Sequence, residues 1–78
     1  MVLTTLEGAM IINRVSIVIG SRRKTIAQVA KEADVSYEAV RRLYEDISKR
    51  LDLDTLNSLC RVLECQPGDL FEYKNGQN

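Results

Sequence analysis

Thr25-Ile26-Ala27-Gln28-Val29-Ala30-Lys31-Glu32-Ala33-Asp34-Val35-Ser36-Tyr37-Glu38-Ala39-Val40-Arg41-Arg42-Leu43-Tyr44-Glu45 reads as two short helices joined by a tight turn. Thr25 with Gln28 three residues on is a capping box, in which each side chain satisfies a backbone N–H of the other. Ile26, Val29, Ala30 and Ala33 recur at helical spacing and form an inner face. Ala30 is small enough to let a second helix cross closely. Asp34 falls in the turn and tolerates positive φ better than most residues with a Cβ. Val35 then plugs the core, and Ser36 caps the next helix. A short helix alone is marginal in water, so each of the two needs the other to bury its apolar side.

The second helix, Tyr37 to about Glu45, divides cleanly. At about 100° per residue, Tyr37, Arg41, Glu45, Glu38 and Arg42 fall within about 140° of arc. Ala39, Leu43, Val40 and Tyr44 occupy the rest, between about 200° and 340°. Such a helix is half sunk in a core and half offered to a partner. A helix pair of this kind can set one helix in the major groove of DNA while the other braces it.

Working outward, Ile11 to Arg23 is the expected first helix, with Asn13 as its cap and Val15, Val18, Ile19 and Arg22 as its stripe. Its β-branched run favours strands as well; the need of the helix pair for a third helix decides for helix. Ile47 to Arg50 reads as a loop carrying two cations. Asp52 starts another helix, with Leu51 and Leu56 as a hydrophobic staple and Leu53, Leu56, Leu59, Cys60 and Leu63 as the buried stripe. Pro67 suits the first position of a short final turn to Leu70. Phe71-Glu72-Tyr73 is expected to be extended and to pair with Met10 to Ile12. Residues 1–9 read as a weakly ordered N-terminal arm or tail, residues 10–73 as the domain and residues 74–78 as a flexible tail.

The 78 residues bound the function. A chain of this size buries only about 60% of its unfolded surface, which leaves little for a deep catalytic pocket. Its 45% apolar and 28% charged residues are those of a globular protein. The longest apolar run, Ala9 to Ile12, is too short to cross a membrane, and no secretory signal is visible. Histidine is absent, and Cys60 and Cys65 are too few ligands for zinc. The two cysteines are expected to be poorly placed to bridge and to remain buried thiols, as suits a reducing cytoplasm. No nucleophile has an evident base, and no glycine pattern cradles a phosphate. Neither enzyme chemistry nor a cofactor is expected, and no small-molecule ligand is evident. Four aromatic residues are too few for a single-strand stacking platform.

The formal net charge is zero, but it conceals a gradient. Residues 14–50 hold nine basic and five acidic side chains, whereas residues 51–78 hold two basic and five acidic. A phosphate backbone meets the field of one face, not the total.

Ala30, Val35-Ser36, Val40 and Leu43 stand at the spacing of the helix-turn-helix of lambda-repressor/Cro-like (XRE) regulators. The stretch from Leu53 to Tyr73, with Gln66-Pro67-Gly68-Asp69-Leu70, resembles the ending of the small stand-alone bacterial members. The resemblance covers about residues 10–73. It implies an all-α, five-helix lambda-repressor-like domain with a central helix-turn-helix, sequence-specific binding to duplex DNA, and frequent homodimerisation on a palindrome. Within that family the chain is also similar to the small regulator of a glycopeptide-resistance operon. Two positions depart from the pattern. Asp34 stands where Gly is usual, and Glu38 where a neutral amide or small polar residue is common.

The DNA-binding residues expected on these grounds are Ser36, Tyr37, Glu38, Arg41 and Arg42 on the second helix. Arg donates a bidentate pair to guanine, and Glu accepts from cytosine N4. Thr25 and Gln28 sit at an N-terminus suited to phosphate. Arg22, Arg23 and Lys24 on one side, and Lys49 and Arg50 on the other, flank the groove-facing helix, where phosphates would lie. Each has a plainer role too: Arg41 has Glu45 four residues on, Ser36 and Thr25 cap, and Tyr37 covers the core rim. Repression is the simpler mode of regulation, since it requires only occupancy of a promoter. The rival is a protein-binding module, an antitoxin or adaptor, that keeps the helix-turn-helix fold; near-neutral charge and Glu38 speak for it.

Overall fold

Among the described residues, four of the five helices end in the same way, and none of those four ends on glycine. The computed structural model describes residues 2–4 and 10–74. Its elements are β1 (Val2–Thr4), β2 (Met10–Asn13), α1 (Val15–Ser21), α2 (Ile26–Ala33), α3 (Tyr37–Tyr44), α4 (Leu53–Leu63), α5 (Pro67–Leu70) and β3 (Phe71–Lys74). Arg23, Asp34, Asp46 and Glu64 follow α1 to α4 with φ of 56°, 57°, 61° and 53°. The next residue's N–H then reaches back to a carbonyl five positions earlier: Lys24 to Ile19, Val35 to Ala30, Ile47 to Arg42 and Cys65 to Cys60, at 2.9–3.2 Å. This is the Schellman motif, here closed by residues that bear a Cβ.

The starts of α2, α3 and α4 follow the side chains expected to cap them, whereas Arg14 and not Asn13 stands at the N-cap of α1. Thr25 Oγ1 accepts from the Gln28 N–H at 3.1 Å, and Gln28 Oε1 accepts from the Thr25 N–H at 2.8 Å. Ser36 Oγ accepts from the Ala39 N–H at 3.1 Å. Asp52 accepts from the Thr55 N–H at 3.2 Å and hydroxyl at 2.6 Å, and the Thr55 hydroxyl, chief among these, lowers the Asp52 pKa.

The helices pack α2 on α3, α2 on α4, and α1 on α3 and α5. Val15, Ile19, Val29, Val40, Leu59, Leu63 and Leu70 are sealed at the centre. Burial of each such side chain contributes about 1.5–3 kcal/mol. The strands form one antiparallel sheet in the order β1-β2-β3. Ile11 pairs with Tyr73, Ile12 with Glu72, and Val2 with Ile12. The expected terminal pairing is therefore present, and it corrects the first helix: Met10–Asn13 belong to the sheet and α1 starts only at Val15. The β-branched run Val15-Ser16-Ile17-Val18-Ile19 lies wholly in α1, as expected, and the strand takes the residues before it. Of the expected N-terminal arm, Val2–Thr4 form β1, and residues 5–9 lie outside the described residues. Lys74 closes β3, so the expected tail beyond it, residues 75–78, lies outside them too.

Two further expectations are corrected. Leu53 is 79% exposed and is no part of the buried stripe of α4, because it sits at the first position of that helix, ahead of the turns that meet the core. Cys60 and Cys65 are half-buried rather than sealed, and the turn at Glu64 brings them together. Among the described residues no helix is long and apolar enough to cross a membrane.

Candidate nucleic-acid interface

The polar half of α3 is built on a core-facing half that holds it still. Val40 and Leu43 are buried, while Tyr37, Glu38, Arg42 and Glu45 are exposed. The C-terminal end of α3 is fastened by Asn13, a buried side chain whose polar atoms are all partnered. Its Nδ2 donates to Leu43 O at 2.9 Å and to Asp46 Oδ1 at 3.0 Å, and its Oδ1 accepts from the Val15 N–H at 2.9 Å. One amide thus joins β2, α1 and the end of α3. Sequence reasoning gave Asn13 only a capping role; a polar residue directly after Ile11-Ile12, at the head of a core helix, was the available signal.

Glu38 organises both arginines. Its carboxylate accepts from Arg41 Nε at 3.0 Å, from an Arg41 terminal nitrogen, and more weakly from Arg42 Nε at 3.4 Å. Glu45 takes the other terminal nitrogen of Arg41 at 2.7 Å. The hydrogen bonds from Arg41 hold the Glu38 pKa down at about 2, with Arg42 contributing and partial desolvation opposing. The same pairing raises Arg41, whose guanidinium stays charged at any working pH. The Arg42 side chain is 59% exposed against 30% for Arg41. Arg42 is thus the more available guanidinium on this face, a ranking that equal spacing on the helical wheel did not provide.

Two concavities flank α3. A cleft of about 560 Å³ is lined on one side by Ser36, Glu38 and Arg42 and on the other by Lys49, Arg50 and Asp52. A smaller one of about 380 Å³ collects Lys24, Thr25, Tyr37 and Tyr44. The fold therefore brings most of the expected residues to the two sides of one helix. Ser48 and Thr55 share the larger cleft and were not expected there; Thr55 gets there as the partner of the Asp52 cap.

Three expected residues have other engagements. Arg22 donates from Nε to Leu63 O at 2.8 Å and from a terminal nitrogen to Glu64 O at 3.5 Å. It satisfies carbonyls at the end of α4, a structural role beside the phosphate contact expected from its place in the Arg22-Arg23-Lys24 run. Lys24 pairs with Glu32 at 2.7 Å. Gln28 spends its amide oxygen on the capping box. Arg23 is exposed at the turn after α1.

Residues 14–76 match the family model described as the Cro/C1-type HTH DNA-binding domain. The chain belongs to the Cro/C1-type helix-turn-helix family. In that family setting α2 and α3 are the two helices of the motif, and the Asp34 turn joins them. A relative in Bacillus subtilis (strain 168), the uncharacterised HTH-type transcriptional regulator YozG, is 29% identical over 70 residues, covering 90% of this chain and 82% of the relative. A crystal structure of a Bacteroides fragilis protein assigned as DNA-binding superposes with a TM-score of 0.70 at 24% identity, over 81% of this chain and 100% of that one. That likeness shows that the fold is shared. The narrower similarity to a glycopeptide-resistance regulator finds no support in these relatives and falls away.

Proposed function

We propose that this Cro/C1-type protein is a transcriptional regulator that reads a duplex operator through α3 and acts chiefly as a repressor. The observation that carries the reading is the arrangement of α3 itself. Its apolar half is locked by Val40, Leu43 and the Asn13 fastening, and its outer half offers Arg41 and Arg42 between a cleft that bears Lys49 and Arg50 and a smaller one that bears Lys24. In the major groove, Arg41 and Arg42 read guanine edges, Glu38 sets their geometry and accepts from cytosine, and Ser36 and Tyr37 approach the flanking backbone. Lys49 and Arg50 on one side, and Arg23, Lys24, Thr25 and Gln28 on the other, contact phosphates. Two copies bind as a homodimer with their recognition helices about 34 Å apart, one turn of B-DNA. The protein works in the cytoplasm, where promoter DNA is found.

A second reading, a protein-binding module, draws on the same ion pairs: Glu38 and Glu45 occupy much of Arg41 before any partner arrives. One titration separates the two. Fluorescence anisotropy with DNA from upstream of the gene should give binding at nanomolar to sub-micromolar protein, weakening steeply with salt. No binding to that DNA in dilute buffer would leave the protein-binding reading standing.

A further inference from the structure

The four Schellman turns differ in what they bring together. Such a turn sets the side chain two residues past the helix against that of the residue whose carbonyl accepts its N–H. After α2 these are Val35 and Ala30, an apolar pair. After α4 they are Cys65 and Cys60.

We infer that Cys60 and Cys65 form a peroxide-sensitive dithiol, which closes to an intramolecular disulfide across the end of α4. The Cys65 N–H donates to Cys60 O at 3.1 Å, so the two residues lie side by side although five positions apart. Both are free and half-buried, and both open onto one groove with Leu56, Arg61 and Pro67. Burial first, and then the neighbouring Cys60 and Asp69, push the Cys65 thiol up, while Arg22 opposes. That is the environment of a resolving thiol rather than an attacking one.

The chemistry balances with hydrogen peroxide as oxidant. The Cys60 thiolate attacks one peroxide oxygen, the O–O bond breaks, and the departing hydroxide takes up the thiol proton as water. Cys60 is left as a sulfenic acid. Cys65 sulfur then attacks Cys60 sulfur, the S–O bond breaks, and hydroxide leaves with the Cys65 proton as a second water. Two thiols lose two electrons, and one peroxide becomes two waters.

The test uses the full chain, folded, with equimolar hydrogen peroxide. Intact mass should fall by two hydrogens, reversibly with dithiothreitol. Trypsin cuts after Arg61 and so parts Cys60 from Cys65. Peptides 51–61 and 62–74 should emerge joined before reduction and separate after it. Cys60→Ser and Cys65→Ser should each abolish the loss. Closure should be several-fold faster in the folded chain than in urea, because the turn holds the pair together. Disulfides only between copies, overoxidation of one cysteine with the other still free, or closure no faster in the folded chain than in urea would each overturn the assignment.

Discussion

Glu38 lies side-on to the guanidinium of Arg41, one helical turn away, accepting from both Nε and a terminal nitrogen. Glu45 holds the other terminal nitrogen from the following turn. Arg41 is therefore fixed between two carboxylates of its own helix before anything docks. A fixed guanidinium loses less side-chain freedom on binding a base, but its partners also repel phosphate. On the proposed reading of DNA by α3, this arrangement favours discrimination among sites over raw affinity.

Glu38→Gln should shift that balance. The amide keeps the shape and removes the charge that holds Arg41 and Arg42. Affinity for random duplex should rise by about three- to tenfold at low salt, and the ratio of operator to random binding should fall. Anisotropy titrations on both duplexes measure the two quantities together. An unchanged ratio would show that the carboxylate does not set specificity.

Arg41, Lys49 and Arg22 should separate into three behaviours. Arg41→Ala should narrow the gap between operator and mismatched sites, at about 1–3 kcal/mol for the base pair concerned. Lys49→Ala should weaken every site alike and reduce the slope of log affinity against log salt by about 0.9. Arg22→Ala should leave that slope alone and lower stability instead, because its guanidinium serves the Leu63 carbonyl. A loss of salt slope in Arg22→Ala would show that it contacts phosphate as well.

Asn13→Ala should destabilise by roughly 1–3 kcal/mol in urea unfolding, since it strips partners from Val15 N–H and Asp46 within a buried site. DNA affinity should drop as well, because the end of α3 loses its fastening. Retained stability would mean that water replaces the amide without cost.

Asp34→Gly should stabilise by about 0.5–1 kcal/mol. It relieves a positive φ of 57° on a residue with a Cβ, and the extra freedom of glycine in the unfolded chain offsets part of the gain. The urea midpoint should rise with its slope unchanged.

The Glu38 pair also carries a pH signature. Its carboxyl is depressed from 4.5 to about 2 in the folded chain. The stabilisation it lends is thus complete above about 4.5 and is lost as pH falls through about 2. Between pH 5 and 8 the Glu38 carboxyl should not titrate. A Glu38 carboxyl resonance followed by NMR should move only below about pH 4; a midpoint near the unperturbed value would mean the pair is open in solution.

The sequence by itself determined the helix-turn-helix and the face that α3 presents. Periodicity, the Thr25-Gln28 box and the Ser36 cap are local devices that act within one or two helical turns, and their signals sit next to each other in the chain. Helix ends were harder to see, because Arg23, Asp34, Asp46 and Glu64 occupy left-handed positions that glycine usually announces, and only Asp34 sat in a recognised turn. Tertiary structure alone decided the split of the Met10–Ser21 region between strand and helix, since pairing with Phe71–Lys74 is a contact between distant residues. It also decided that Arg22 caps α4, that Arg42 is freer than Arg41, and that Asn13 joins three elements. In each case the deciding partner is set by how the chain folds back in space, and no pattern of neighbouring residues encodes it.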